Sequence, residues 1–253
     1  MKKKVGIIGY GTIGKHVFEK LSQDEVEFAF VLERMAIADN KNGHLFTDST
    51  EEIVRKCAAG VDLVIETATS QAVIELAPTI LKVADMVVFS ATAFADQEFL
   101  HQIKQICQTS GHNLYIPHGA ILGLDGIFDG KDVLQAVSVT TTKRPENLGR
   151  TDTCRTILYE GSTRNVCKLY PRNVNVHAAI ALAGLGFDKT QSKIISDPDS
   201  PGNTHSIEIK AQGCSFKIEV LSEPISGVTG AYTPVSAYSS IRRVLFNQGL
   251  VII

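Results

Sequence analysis

Residues 5–14 read VGIIGYGTIG, a short apolar run followed by glycines at 9, 11 and 14 and then Lys15. Glycine-rich turns are common, so a GxGxxG segment acquires meaning only from its surroundings. Here KVGIIG has the pattern of a buried strand. TIGKHVFEKLS has that of a helix, with Ile13, Val17, Phe18 and Leu21 on one face. In that setting Gly9 permits the tight turn, Gly11 lets a pyrophosphate approach the backbone, and Gly14 lets helix and strand pack closely. The first amides of the helix, at Thr12 and Ile13, then face the phosphates. A second mark of a dinucleotide site is an acid about 20 residues further on, closing the second strand. Glu33, in FVLERM, stands there. Its carboxylate suits ribose hydroxyls and NAD, whereas Arg34 beside it suits a 2′-phosphate, so the cofactor is read as NAD or NADP.

Outward from this loop, apolar runs and helical patterns alternate. EFAFVLE is a second strand. STEEIVRKCAA is a helix with Ser49 or Thr50 as N-cap and Glu51 and Glu52 in its first turn. VDLVIETA is a third strand, followed by the helix SQAVIELAPTILKVA, where Pro78 predicts a kink or boundary. DMVVFSATAFAD is a fourth strand running into a loop, FLHQIKQICQTSG a helix closed by Gly111, and NLYIPHGAI a fifth strand. Unbroken apolar strands joined by helices predict a doubly wound parallel sheet of the Rossmann type. The loops ETATSQ (66–71) and SATAFAD (90–96) follow the third and fourth strands, where such sheets bind ligands. Their small residues, Ala68, Ser90 and Ala91 among them, allow a flat cofactor to approach.

The pattern changes after about residue 120. VLQAVSVTTTKRP, CRTILYEG, KIISDP, THSIEIKA and CSFKIEVL read as strands, several with alternating burial, and NVNVHAAIALAGLGF as a helix packed against them. The expected fold is therefore α/β, with a second, α+β domain carrying a mixed sheet. The domains are expected at 1–119 (dinucleotide binding), 120–230 (α+β) and 231–253. The last is an amphipathic helix, TPVSAYSSIRRVLFN, returning to the first domain with Val235, Tyr238, Ile241 and Leu245 on its inner side.

Composition excludes several classes. With 44% hydrophobic and 21% charged residues the chain is of ordinary globular make-up, and a net charge of −2 gives no reason to expect nucleic acid or an anionic membrane as partner. The basic start MKKKVGII is followed by an apolar run too short for a secretion signal, and no run approaches the roughly 20 residues needed to span a bilayer. Five scattered cysteines without a CxxC pair predict neither disulfides nor a metal site, and a cytoplasmic protein is expected.

Hydride transfer asks the protein to orient cofactor and substrate and to supply a proton donor or acceptor, most often histidine. Of the seven, His16 and His101 fall in helices, and His44 and His112 in surface loops. His118 follows the fifth strand, His177 lies in the apolar helix, and His205 enters a strand after the loop DPDSPGN. Position ranks His205 first, with His118 and His177 behind.

GYGTIG, SATAFAD, HGAILGLDGI, EGSTRNVCKLYPRNVNVHAAIALAGLGF and DPDSPGNTHSIEI, in this order and spacing, resemble the L-aspartate dehydrogenase family over nearly the whole chain. The resemblance implies NAD(P)-dependent conversion of L-aspartate to oxaloacetate and ammonia through iminosuccinate, by a homodimer whose second domain is catalytic. It implies His205 as the catalytic histidine, with Ala120 and Asn175 as further cofactor contacts. The chain departs from the family's usual SGAIGGLD loop at His118 and Leu122. A substrate with two carboxylates needs cationic or amide donors. Lys143, Arg144, Arg172 and Asn173 are the candidates by location. Dihydrodipicolinate reductases and homoserine dehydrogenases share the two-domain plan and are the enzymatic alternative. A non-catalytic NAD(H) sensor is the other.

Overall fold

The computed structural model describes residues 2–34, 43–226 and 229–246. Within these, the chain divides into two compact units, one formed by the described residues up to Pro117 together with 237–246 and the other by those from His118 to Ser236. The chain thus passes from one unit to the other between Pro117 and His118, and again between Ser236 and Ala237.

The first unit contains β1 (Lys3–Ile8), α1 (Thr12–Leu21), β2 (Val26–Leu32), β3 (Phe46–Thr47), α2 (Thr50–Ala58) and β4 (Leu63–Glu66), then α3 (Ser70–Ile80), β5 (Asp85–Val88), α4 (Gln97–Ser110) and β6 (Leu114–Tyr115). The sheet order is β3-β2-β1-β4-β5-β6 and every pair is parallel. Strand order reverses between β1 and β4, which makes the loop after β1 the topological switch point where ligands bind in such sheets. All four residues of β4 are buried, as continuous apolar strands between helical layers must be. The helices start where short polar side chains can hold free amides. Ser49 accepts from Glu52 N–H, Thr69 from Ala72 N–H and Asp96 from Phe99 N–H, while Gly111 (φ 77°) closes α4.

Several expectations are corrected here. β3 was not expected, because two residues carry no periodicity. The fifth strand shrinks to Leu114–Tyr115, and SATAFAD holds a 3₁₀ turn at Ala91–Ala95 in place of a loop. Pro78 sits inside α3, whose helix ends two residues later at Ile80. Proline there lacks the N–H that would donate to the Ile74 carbonyl, a single lost bond in the last turn of the helix.

The second unit contains α5 (Leu124–Asp129), β7 (Leu134–Lys143), β8 (Thr156–Ser162), α6 (Thr163–Leu169), α7 (Asn175–Ala183), β9 (Gln191–Ser196), β10 (Asn203–Ala211) and β11 (Cys214–Ser222). Its sheet runs β11-β10-β7-β9-β8, with β7 and β9 parallel and the other pairs antiparallel. The short helices α5 and α6 were not expected, since fewer than two turns leave too few positions for a helical period. Alternation along β7 and β10 buries Val137, Val139, Ile207 and Ile209 together with Ile127 and Ile180 in one core.

The final helix α8 (Tyr232–Leu245) joins the first unit from Ala237 onward. Ala237, Ile241 and Leu245 share a core with Val5, Ile7, Val17 and Leu63, and Tyr238 donates to Asp24 (2.9 Å). Val235 is half exposed, so the inner stripe runs through Ala237 and not Val235. The end of the expected helix, Asn247 onward, lies outside the described residues.

Candidate active site

The glycine loop is built by the first unit. Gly9 has φ +90°, and a Cβ there would stand 2.9 Å from the Ala68 backbone; a Cβ on Gly14 would run into the Gly9 carbonyl. Both glycines are thus demanded by the protein's own packing. Gly11 is not, for its φ is −75° and, its chain neighbours aside, no atom of the described residues lies within 4 Å of where its Cβ would be. The open space over Gly11, and the absence of any side chain capping α1, leave a cradle with outward amides at Thr12 and Ile13, which fits a pyrophosphate. Replacing Gly11 by Ala should leave thermal stability nearly unchanged, because loss of cap preference and gain in chain stiffness are opposed and each under about 1 kcal/mol. NADH affinity, read by fluorescence titration, should fall by about tenfold or more. Equal loss of stability and affinity would remove this assignment.

Glu33 follows β2 and its carboxylate accepts from Tyr10 N–H (2.8 Å), which holds it at the loop. Arg34 forms a two-pronged ion pair with Glu75 (2.9 and 3.1 Å). Both partners are largely exposed, and such pairs are weak enough to release the guanidinium to another anion. Glu66, to which no role was given, lies beneath the two other loops. Its fully buried carboxylate accepts from Ala68 N–H (2.7 Å), Ser90 hydroxyl (2.8 Å) and Ser90 N–H (3.1 Å), locking both loops to the end of β4. Burial pushes its pKa up to about 7 against those three bonds. An acid closing an otherwise apolar strand was the visible signal. Ala91 is buried beside Ser90.

The second unit collects the remaining candidates at one end of its sheet. Along β7 the buried face runs Val137, Val139, Thr141, Lys143, and along β10 it runs Ile209, Ile207, His205. The face is therefore apolar at one end and polar at the other. Antiparallel register places Thr141 opposite His205, and their Oγ1 and Nδ1 are 2.8 Å apart. Lys143 is 4% exposed, and its ammonium has one hydrogen-bond partner among the described residues, Asn173 Oδ1 at 3.1 Å. An ammonium carries three donors, so this buried cation is under-satisfied. Burial lowers its pKa to about 8. His205 is pushed down to about 3, by burial first and by Lys143 second, so its imidazole is neutral. His177, fully buried on α7, is also held neutral by burial, with His205 and Lys143 adding to the effect.

The loop leading to His205 is tied down. Asp197 N–H donates to Lys143 O (2.9 Å), Ser200 hydroxyl to Gly202 O (2.6 Å), and Arg144 Nε to Ser200 O (2.7 Å). Arg144 thereby has a structural use. Arg172 is exposed and pairs with nothing among the described residues, whereas Lys143 and Asn173 meet. Ala120 lies in the turn before α5, and Asn175 opens α7. His118 donates Nδ1–H to Ile121 O (2.6 Å), and Leu122 is about half exposed. Thr141, Ser192 and Thr163, which hydrogen-bond around the two histidines, were missed. A threonine in phase with buried valines, as in VSVTTTK, was the readable sign.

A Rossmann unit with an open phosphate cradle, joined to a mixed-sheet unit with a buried ammonium–imidazole pair, defines a two-domain NAD(P)-dependent dehydrogenase. Residues 9–117 match the NAD-binding domain of homoserine dehydrogenase, and residues 128–244 match the C-terminal domain of aspartate dehydrogenase. The L-aspartate dehydrogenases of Methanococcoides burtonii and Archaeoglobus fulgidus are 33% and 32% identical to this chain, over 95% and 98% of it and 96% and 99% of their own lengths. The crystal structure of aspartate dehydrogenase from Thermotoga maritima superposes with a TM-score of 0.81 at 28% identity, covering 100% of both chains. The chain belongs to the L-aspartate dehydrogenase family.

Proposed function

We propose that this chain catalyses the NAD(P)-dependent oxidative deamination of L-aspartate to oxaloacetate and ammonia through iminosuccinate, and the reverse reductive amination. The observation that carries the proposal is the buried Lys143 ammonium, short of acceptors, in the same polar cluster as a neutral His205. A small dicarboxylate supplies the missing acceptors, with Lys143 and the Asn173 side-chain amide N–H groups, which have no partner among the described residues, holding one carboxylate. NAD(P)⁺ held at the glycine loop would supply the acceptor for the Cα hydride, and an aspartate bound with a neutral amine would thereby leave a protonated imine. His205 Nε2 then takes a proton from the water that attacks the imine carbon. The imidazolium returns that proton to nitrogen, the C–N bond breaks, and the carbinol proton leaves with ammonia as ammonium while the carbonyl forms.

A pKa near 3 leaves His205 a weak base in the free protein. Substrate changes that, because its carboxylates neutralise Lys143 and add negative charge beside the ring, favouring the imidazolium. His205 thus becomes basic when there is work for it. Gly9, Gly11, Thr12, Ile13, Gly14, Glu33, Ala68, Ser90 and Ala91 are assigned to the cofactor on the loop geometry, with Arg34 available to a 2′-phosphate. Ala120 and Asn175 are assigned to the cofactor on the resemblance alone, and Arg172 to the substrate on its place in the sequence alone. A homodimer in the cytoplasm belongs to the same reading, supported by the resemblance and by five cysteines that are all free.

The test is NADH and NADPH oxidation, followed at 340 nm, on mixing the protein with oxaloacetate and ammonium. Turnover should require both. Confirmed cofactor binding without turnover would favour a sensor or a different substrate.

A further inference from the structure

A continuous file of polar side chains runs through the second unit behind His205. Thr163 Oγ1 lies 3.0 Å from Thr190 O and 2.7 Å from Ser192 Oγ. Ser192 Oγ lies 2.9 Å from His177 Nδ1, His177 Nε2 lies 2.7 Å from Thr141 Oγ1, and Thr141 Oγ1 lies 2.8 Å from His205 Nδ1. Thr141, Thr163 and His177 are fully buried, Ser192 is 2% exposed and His205 5%.

The direction of every bond follows from the carbonyl at one end. A carbonyl only accepts, so the single proton of Thr163 points at Thr190 O. Thr163 must then accept from Ser192, and Ser192, its proton spent, must accept from His177 Nδ1–H. His177 has no carboxylate partner among the described residues, so a charged ring there would be buried unpaired, and it is neutral. Its Nε2 is therefore an acceptor, filled by the Thr141 proton. Thr141 oxygen in turn accepts from His205 Nδ1–H.

We infer that these five hydrogen bonds, anchored on the Thr190 carbonyl, hold His205 as its Nδ1–H tautomer and present Nε2 as a bare proton acceptor. Thr141, His177, Ser192 and Thr163 are positioning residues. They touch no substrate, and their effect is to fix which nitrogen of His205 carries the proton. The inference deepens the proposed role of His205 and rests on it for its catalytic meaning, but not for its geometry.

The experiment is ring-¹⁵N histidine labelling of the full chain, with two-bond ¹H–¹⁵N correlation spectra near neutral pH. His205 signals are assigned by their loss in His205→Gln. In the parent protein Nδ1 of both His177 and His205 should be protonated and both Nε2 atoms bare. Ser192→Ala removes the acceptor that polarises the file. His177 is then free to protonate Nε2 and donate to Thr141, which turns its own proton to His205 Nδ1 and leaves Nε2–H on His205. The spectrum of that variant should show the reversal, and its kcat should fall by about 10²-fold, short of the roughly 10⁴-fold known for a wrong tautomer in a serine protease. Thr141→Ser, which keeps the hydroxyl, should retain the parent tautomer, and Thr141→Val should not. A parent spectrum with Nε2–H on His205 overturns the inference even if His205→Gln is inactive. An active His205→Gln overturns the proposed base while the spectrum still decides the file. If Ser192→Ala does not fold, the parent spectrum alone decides.

Discussion

His205→Ala lowers kcat for reductive amination by about 10³-fold, within the 10²–10⁴ range of a positioned general base, while the Kd for NADH stays within about twofold. The separation follows from placement. His205 enters β10 in the second unit, whereas the glycine loop, Glu33 and the Ser90 turn are in the first. The ring contributes to the steps in which water adds and ammonia leaves, so its removal should leave hydride transfer less impaired than net turnover. Single-turnover traces therefore divide the two: NADH formation from aspartate should survive better than steady-state release of oxaloacetate. Stopped-flow absorbance with titrated cofactor binding checks both halves. Turnover within tenfold of the parent would remove His205 from the mechanism.

Lys143→Met raises KM for oxaloacetate by about 10²-fold, the scale expected when one member of a buried charge pair is truncated, and at the same time makes the ligand-free protein more stable. The two effects have one cause. Below pH 8 the ammonium is charged in a site that burial makes unfavourable, where its pKa falls from 10.5 to about 8. That difference corresponds to about 3 kcal/mol against the folded state while both forms are protonated. Between pH 8 and 10.5 the unfolded chain binds the extra proton, so stability from this group rises with pH across that window. The parent Tm should show that rise and Lys143→Met should lack it, starting from a higher Tm at pH 7. Inhibition by succinate, which has no amine to titrate, should weaken above about pH 8 in the parent. A lower Tm in Lys143→Met at pH 7 would mean that the ammonium is satisfied in the free protein and is not waiting for an anion.

The parallel sheet was legible because its strands are simple in kind. β1, β4 and β5 are short apolar runs, and the intervening helices carry a 3.6-residue period and small polar caps at Ser49, Thr69 and Asp96. Elements too short for any period, such as β3, α5 and α6, were not legible. In α8 the sequence pattern admitted Val235 to the buried stripe, and packing chose Ala237, because a helix of mixed small and apolar residues offers more than one face.

What the sequence by itself determined is the local chemistry: strand, turn and helix around Gly9, Gly11 and Gly14, an acid at Glu33, and a histidine at the mouth of a strand. Each depends on residues within one or two turns of chain. Tertiary structure alone decided which polar groups meet. Thr141, Lys143, Ser192 and His205 come from three strands, His177 from α7 and Asn173 from the turn before it; the register of β7 with β10 and β9 sets the strand residues on one face, and α7 lays His177 against it. The same closure removes them from water. That turns a lysine into an under-satisfied cation and two histidines into neutral rings, states set by burial and neighbours that no stretch of sequence carries.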